Sequence, residues 1–232
     1  AGGGDGTIVG AINALETLRG EAPMPSVGVL RLGTGNALAH WLGSGRPVHD
    51  LRRWNSGQVH RSVSMHMCEA EGTFFPFAGM GVDAAVLNDY NEIKQRARGQ
   101  WWEKFAKGLS GYLIAGYTKT VPNYLRRSRH NVRITNTGRP AFRIAPNGRE
   151  VGQPIPTGGT IYEGPASTVC CASMPFYGYG MKMFPHATRR AGRFQLRLAN
   201  MGALSMAWNL AKVWRGGTPP GIHDFYVDSA HV

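Results

Sequence analysis

The chain has 232 residues, 42% of them apolar, and its 26 lysines and arginines outnumber 14 aspartates and glutamates for a formal net charge of +12. That length and apolar share suffice for one large or two small cored domains and exclude a disordered chain. No run approaches the roughly 18 to 20 apolar residues of a membrane-spanning helix, no charged-then-apolar stretch precedes a small-residue cleavage site in these residues, and Cys68, Cys170 and Cys171 form neither a disulfide framework nor a zinc-site spacing. A soluble, cytoplasmic protein with reduced, buried thiols is therefore expected. Division of the chain at residue 120 leaves 12 basic against 10 acidic residues before it and 14 against 4 after it. The excess in the second half favours a polyanionic partner, either nucleic acid or an anionic membrane face.

In chain order, "GGGDGT" (Gly2 to Thr7) is a glycine turn that opens a helix carrying Ile8, Ile12, Leu15 and Leu18 at helical spacing, with Gly20 near its stop. After the break at "APMP", "SVGVLRL" (Ser26 to Leu32) reads as a buried parallel strand. A second glycine turn, "GTGN" (Gly33 to Asn36), then leads into the helical run "ALAHWLG". From Gly57 the alternation of "GQVHRSVSMHMCEAEGTFFPFAGMG" suggests antiparallel strands, with Pro76 at an edge or bulge. A helix is expected near 99–119, with a stripe of Trp101, Phe105, Leu109, Tyr112, Leu113 and Tyr117 that suits core packing or, beside its lysines, a bilayer interface. Beyond Pro122, "NVRITNTG", "AFRIAP", "STVCCASM" and "RFQLRLAN" read as short strands. A last helix, Ala203 to Trp214, is expected to turn Leu204, Trp208, Ala211 and Trp214 to the core.

Glycines allow positive φ and close approach of the backbone to a ligand, and the helix that follows offers unpaired N–H groups and a positive dipole end, so phosphate is the natural occupant. Asp5, lodged among those glycines, would repel a bare phosphate, which argues for a divalent cation or a hydroxyl proton as its partner. Asp-Gly is also an ordinary tight turn. Neither the Walker pattern nor the G-x-G-x-x-G register of a dinucleotide fold is present. A second turn reached from a second parallel strand would bring Thr34 and Asn36 to the same sheet edge as Asp5.

"GGGDGTIVGAINAL" followed by "VGVLRLGTGNALAHWLG" resembles the catalytic domain of the diacylglycerol kinase and sphingosine kinase family, bacterial lipid kinases included. The resemblance continues through "FPFAGMGVDAAV" (Phe75 to Val86) and "PFYGYGMKMFPHA" (Pro175 to Ala187). It implies an α/β fold, with a partial Rossmann-like ATP lobe over residues 1–56 and a β-sandwich-like lipid lobe over residues 57–232 that carries the inserted helix. ATP and a lipid hydroxyl would meet between them. Gly3, Gly4, Asp5, Gly6 and Thr7 would hold the triphosphate and its Mg2+, which Asp5 would meet through water, with Gly33, Thr34, Gly35 and Asn36 as the second wall. Asp5 also matches an aspartate proposed as the base in sphingosine kinase-like members. Arg96 and Arg98, with Lys94, match basic positions near the nucleotide, and Asp83 matches a position facing the lipid headgroup; a solvated charge run and a local cap are the plainer readings.

The family also has elements ahead of the first turn and an Asp-Gly-Glu that does not occur in these 232 residues, so the resemblance implies truncation at both ends. Val9-Gly10 replaces the usual Asn-Glu, Arg31 a proline and Ala37 an acid. Ala191-Gly192 stands where many bacterial members place the Asp-Gly of a structural magnesium site.

The expected activity is ATP-dependent phosphorylation of a hydroxyl on diacylglycerol or a sphingoid-like lipid, with the basic half resting peripherally on an anionic membrane. The missing acids suit a binding module of the same fold without turnover, and a soluble-substrate kinase of the NAD kinase type lacks a counterpart of "GTGN". No aromatic-basic recognition motif supports nucleic acid as partner. His40, His186 and His223 lie near family-like motifs, but no histidine pair has metal-ligand spacing.

Overall fold

Gly2–Gly3 (β1) lies parallel to Leu30–Arg31 (β2), with Gly2 opposite Leu30 and Gly3 opposite Arg31, and the helix Asp5–Arg19 (α1) connects them. This arrangement comes from a computed structural model that describes residues 1–58, 62–104, 106, 108–125 and 130–232. Ile8 is buried in α1 as its spacing predicts, whereas Leu18, read as part of the same stripe, is 81% exposed. The strand expected over Ser26 to Leu32 is confined to β2. Its ladder extends only as far as Ala1, whose carbonyl accepts the Leu30 N–H, and the two residues of β1 provide partners. Beyond Gly33 the chain enters the short helix Ala37–Trp41 (α2) and then Pro47–Asn55 (α3), an unanticipated helix opened by a proline in its first turn. Ile8, Ala37, Leu38 and Met174 form a core that draws in Val29, Trp41, Phe77 and Phe176.

The alternating run after Gly57 divides at Pro76. Residues 59–61 of that run lie outside the described residues; Cys68–Ala70 (β3) and Thr73–Phe75 (β4) form a hairpin, and Phe77–Gly81 (β5) joins a different sheet. Gly81 turns the chain from β5 directly into Val82–Ala97 (α4), with φ +90° and so little room that a Cβ would lie 2.3 Å from the Ser167 carbonyl oxygen. Sequence reading passed over α4. The helix expected near 99–119 starts later, at Gly108–Ala115 (α5), since Gly99 and Gly108 both take positive φ. One π-helical turn, Gly116–Thr120, carries the chain from α5 to Val121–Leu125 (α6). Trp101 stands outside this helix at 86% exposure, and Phe105 and Lys107 lie outside the described residues.

The remaining strands are His130–Asn136 (β6), Ala141–Ile144 (β7), Glu150–Ile155 (β8), Thr160–Ala166 (β9), Thr168–Ala172 (β10), Phe194–Ala199 (β11), Ile222–Val227 (β12) and Ala230–His231 (β13). All four runs expected as strands beyond Pro122 are strands; β8, β9, β12 and β13 have no counterpart among them. An antiparallel six-stranded sheet runs β5-β10-β11-β12-β7-β8, and a three-stranded one runs β13-β6-β9. Ile134 and Ile161 of the smaller sheet share a core with Val169, Leu196, Leu198, Phe225 and Val227 of the larger. The chain is thus mixed α/β with several sheets. The opposite face of the larger sheet follows from register: Cys170 pairs with Gly79 on one side and Arg197 on the other, and Arg197 pairs with Asp224.

Ala203–Trp214 (α7) has the bounds expected, but not the expected facing. Of the expected stripe, Leu204 and Trp208 are 67% and 90% exposed and Trp214 turns inward, joined by Met206, Ala207, Leu210 and Val213, towards α4 and α5. The stripe read from the sequence was offset by part of a turn, because α7 packs beside a cavity and not flat on a sheet. No helix of the described residues is long and apolar enough to cross a membrane.

A side chain ties α1 to the β3–β4 hairpin. Asn13 donates from Nδ2 to the Phe74 carbonyl and accepts the Phe74 N–H at Oδ1, each at 2.8 Å. Asn13→Ala leaves both groups of Phe74 without these partners and is expected to cost about 1–3 kcal/mol. Denaturant unfolding measures that loss, and faster amide exchange at Phe74 assigns it; unaltered stability and exchange would contradict it.

Candidate functional site

The two glycine turns meet backbone to backbone. A Cβ on Gly33 would lie 2.1 Å from the Gly4 Cα, so only glycine fits at that crossing. Asp5 then reaches over the second turn: its Oδ2 accepts the Ala37 N–H at 3.0 Å and its Oδ1 the Leu38 N–H at 2.9 Å. These amides open α2, whose own N-cap residue, Asn36, makes no capping bond and sits in the left-handed region at φ +50°. Asn36 instead closes the second turn on itself, accepting the Gly33 N–H at 2.8 Å and donating to the Gly33 carbonyl at 2.5 Å. Asp5 and Asn36 therefore stand on one rim.

The first turn of α1 remains open. Its N-cap, Gly4, supplies no side-chain cap, Gly6 and Thr7 are exposed, and a Cβ on Gly6 would meet nothing within 4 Å. Thr7 covers Gly3 so closely that no side chain fits there. Thr34 lies between Gly33 and Gly35 in the second turn. Arg96 lies in the last turn of α4, 72% exposed and paired with Glu92 at 2.5 Å, and Arg98 is exposed at that helix's C-cap. Among the described residues neither is joined to a glycine turn by a hydrogen bond or ion pair.

Among the described residues no group of three or more His, Cys, Asp and Glu side chains is placed to hold a metal ion. Each Asp5 oxygen already accepts one amide N–H and keeps a further lone pair for water. That donor set suits a magnesium ion met through its hydration shell and not a cage of direct ligands.

The loop Pro175–Met181 joins this rim to a second feature. Tyr179, at φ +51°, donates its N–H to the Gly35 carbonyl at 2.9 Å, and Phe176 packs edge-on against His40 with centroids 4.5 Å apart. Two residues earlier, the Tyr177 hydroxyl hydrogen-bonds Asp83 Oδ2. Asp83 and Tyr177 line a cavity of about 150 Å³, walled by Val82, Tyr112, Leu113, Met206, Leu210 and Trp214, the last two of which also line a surface groove beside Trp208. No residue of either glycine turn lines it.

Burial raises the Asp83 carboxyl above its ordinary range, against hydrogen bonds from Tyr177 and Cys170 that pull it down. Tyr177 is also raised, first by burial and then by the Asp83 charge; burial pushes Tyr179 up to about 12. Tyr177 and the cavity wall escaped sequence reading, since an apolar lining has the composition of core. Arg197, on the cavity floor, had a visible signal: a charge between Leu196 and Leu198 at an inward strand position.

Two outcomes follow from this geometry. Asp5→Ala removes the cap of α2 and is expected to cost about 0.5–2 kcal/mol in the absence of any nucleotide; equal denaturation midpoints would refute the capping role. For Asp83, a folded pKa above the unfolded one favours the native state in full below the unfolded pKa, and the advantage is lost as pH rises through the folded pKa. Tyr177→Phe removes a bond that lowers that pKa, so the Asp83 titration followed by carboxyl NMR is expected to move to still higher pH; an unmoved or lowered midpoint would contradict it.

Residues 1–67 match the family model described as the diacylglycerol kinase catalytic domain. Diacylglycerol kinase 2 of Arabidopsis thaliana is 29% identical over 129 residues, which are 46% of this chain and 18% of that protein. Diacylglycerol kinase iota of Homo sapiens is 39% identical over 69 residues, or 30% of this chain and 6% of that one. Two solved structures from Bacillus anthracis str. Sterne align over 99% of this chain and 64% of their own, at 17% identity and TM-scores of 0.59 and 0.52; the second is described as a diacylglycerol kinase. The chain spans less than two thirds of each of these proteins. The resemblance carried by the two glycine turns is thereby borne out: the first 67 residues match the diacylglycerol kinase catalytic domain, within a chain whose fold is like that of the solved Bacillus anthracis proteins.

Proposed function

We propose that this chain binds ATP at its glycine turns and a lipid in its cavity, and serves transfer of the γ-phosphoryl group to a hydroxyl of diacylglycerol or a sphingoid-like lipid. The observation that carries this reading is the crossing of Gly4 and Gly33 with the first turn of α1 left open. A helix N-terminus without a capping side chain presents N–H donors and the positive end of its dipole to an anion. Gly3 makes room for Thr7, Gly4 lets the two turns close on each other, Gly6 lets phosphate oxygens approach the backbone, Thr7 offers a hydroxyl, and Gly33 to Asn36 form the opposing wall. Asp5, whose two oxygens each keep a lone pair beyond the α2 amides, would hold the hydration water of a magnesium ion, which would supply neutralisation of phosphate charge.

In this reading residues 1–56 form the Rossmann-like nucleotide lobe and the facing sheets a sandwich-like lipid lobe. Asp83, held by Tyr177, orients the lipid hydroxyl. That oxygen attacks the γ-phosphorus, the bond to the bridging oxygen of ADP breaks, and the hydroxyl proton passes to a base. The catalytic power asked of the residues is mostly positioning and charge neutralisation. Arg96 in the last turn of α4 and Arg98 at its C-cap extend the anion-attracting field in this reading. Arginines around β7 and the 186–193 segment, where Arg190 and Arg193 lie over Phe142, supply charge for peripheral contact with an anionic membrane of the cytoplasmic face.

A second reading, nucleotide binding without turnover, is favoured by Asp5, each of whose oxygens is engaged by an α2 amide, so that its carboxylate already serves as a cap. Calorimetry with Mg·ATP and transfer of labelled phosphate to dioctanoylglycerol in mixed micelles separate the two: binding with transfer supports the kinase, binding alone the module. Gly6→Val adds bulk where the fold has room and a phosphate would have to approach. It is expected to leave the unfolding midpoint within about 1 kcal/mol and to weaken ATP binding about tenfold or more, or about 1.4 kcal/mol. Full affinity in the folded variant would remove the nucleotide from this turn.

A further inference from the structure

The cavity floor holds a charge that the reading above leaves unused. Arg197 lies in the middle of β11, 1% exposed, opposite Asp224 of β12. Its Nε donates to Asp224 Oδ1 at 2.7 Å and its Nη2 to Asp224 Oδ2 at 2.8 Å and Thr218 Oγ1 at 3.1 Å. Gln195 adds a bond from Nε2 to Asp224 Oδ1 at 2.6 Å. The third nitrogen, Nη1, is buried and has no hydrogen-bond partner among the described residues. Arg197 is among the residues lining the cavity and Asp224 is not; Nε and Nη2 form the guanidinium edge paired with Asp224 of β12, and Nη1 lies on the edge away from it.

The chemistry of that free edge is specific. Asp224 already balances the charge, so the site lacks an acceptor and not a counter-ion. A buried donor without an acceptor is costly, and the acceptor that suits an otherwise apolar cavity is an oxygen within an apolar molecule. An acyl ester carbonyl has that character. A sphingoid amine brings a donor to a donor.

We propose that Arg197 Nη1 receives the ester carbonyl of an acyl chain in this cavity and is the residue that selects an acylglycerol over a sphingoid lipid. The inference rests on the lipid reading of the cavity. A free fatty acid carboxylate presents the same kind of acceptor and is separated from the ester by the experiment.

Calorimetry of the 232-residue chain in detergent micelles would compare dioctanoylglycerol, its diether analogue dioctylglycerol, sphingosine and octanoate. The ester is expected to bind about tenfold or more tightly than the ether, which keeps the shape but loses the carbonyl, and more tightly than sphingosine or octanoate. In the double variant Arg197→Met, Asp224→Leu, an apolar replacement of the buried pair, ester affinity is expected to fall to that of the ether while ether binding is unchanged. Equal affinities for ester and ether in the unaltered chain would overturn the proposal and leave the lipid cavity standing. Tighter binding of octanoate would assign the free edge to a carboxylate and also overturn it. If neither lipid binds, the lipid reading falls and this inference with it. Should the double variant not fold, the ester and ether comparison in the unaltered chain decides alone.

Discussion

Everything at the first end of the molecule follows from two backbones passing at contact distance. Gly4 and Gly33 approach so closely that a single methyl group on Gly33 would collide with the opposing chain. That crossing brings the start of α1 within reach of the start of α2, and Asp5 then spans 32 and 33 residues of sequence to satisfy two amides. Backbone donors at a helix start need partners, and here a remote carboxylate supplies what Asn36 does not. The consequence is a division of labour between the two helix N-termini. That of α2 is consumed internally, while that of α1 has no side-chain cap and stays open to solvent.

The six-stranded sheet applies a related logic to its two faces. Alternation along β10, β11 and β12 sends Val169, Leu196, Leu198, Phe225 and Val227 into a dry core shared with the smaller sheet. The intervening positions carry Cys170, Gln195, Arg197 and Asp224 to the other face. A charge pair so deeply buried is tolerated because its partners are fixed by strand register, which sets Arg197 directly across from Asp224. Of this row Arg197 lines the cavity, and α4, α5 and α7 roof it with apolar side chains. The space between is shaped by the helices and given its chemical character by the sheet.

Local chemistry was readable in the sequence wherever it was dictated locally. Glycine turns, the start and stop of α1, the bounds of α7 and four strands beyond Pro122 all depend on neighbours within a few residues, and all were found. The helices α3 and α4 were missed although their signals, Pro47 and Gly81, are local; the other misses depended on distant partners. The facing of α7 turned on the presence of a cavity, so Leu204 and Trp208 face solvent where core was expected. The helix after Gly99 was placed too early because its apolar spacing continues through residues 99–107, and positive φ at Gly108 is visible only once Gly111 packs against the Ala106 carbonyl. At the site, Asp5 and Asn36 were correctly set on a common rim. That Asp5 caps α2 was beyond reach, since capping residues are sought next to the helix they serve. Tyr177 was missed because a tyrosine among glycines carries no mark of a carboxylate partner 94 residues away.

The loop Pro175–Met181 is short and sharply bent, with Tyr179 in the left-handed region and Gly178 and Gly180 on either side at φ +147° and +76°. At Tyr179 it grasps the second glycine turn, and at Tyr177 it grasps Asp83 in the cavity wall. Two residues allow almost no slack between these holds. Displacement at one end is therefore transmitted to the other as by a rigid yoke, and a ligand that shifts either pocket alters the work of filling its neighbour, by an amount that linkage makes equal in both directions.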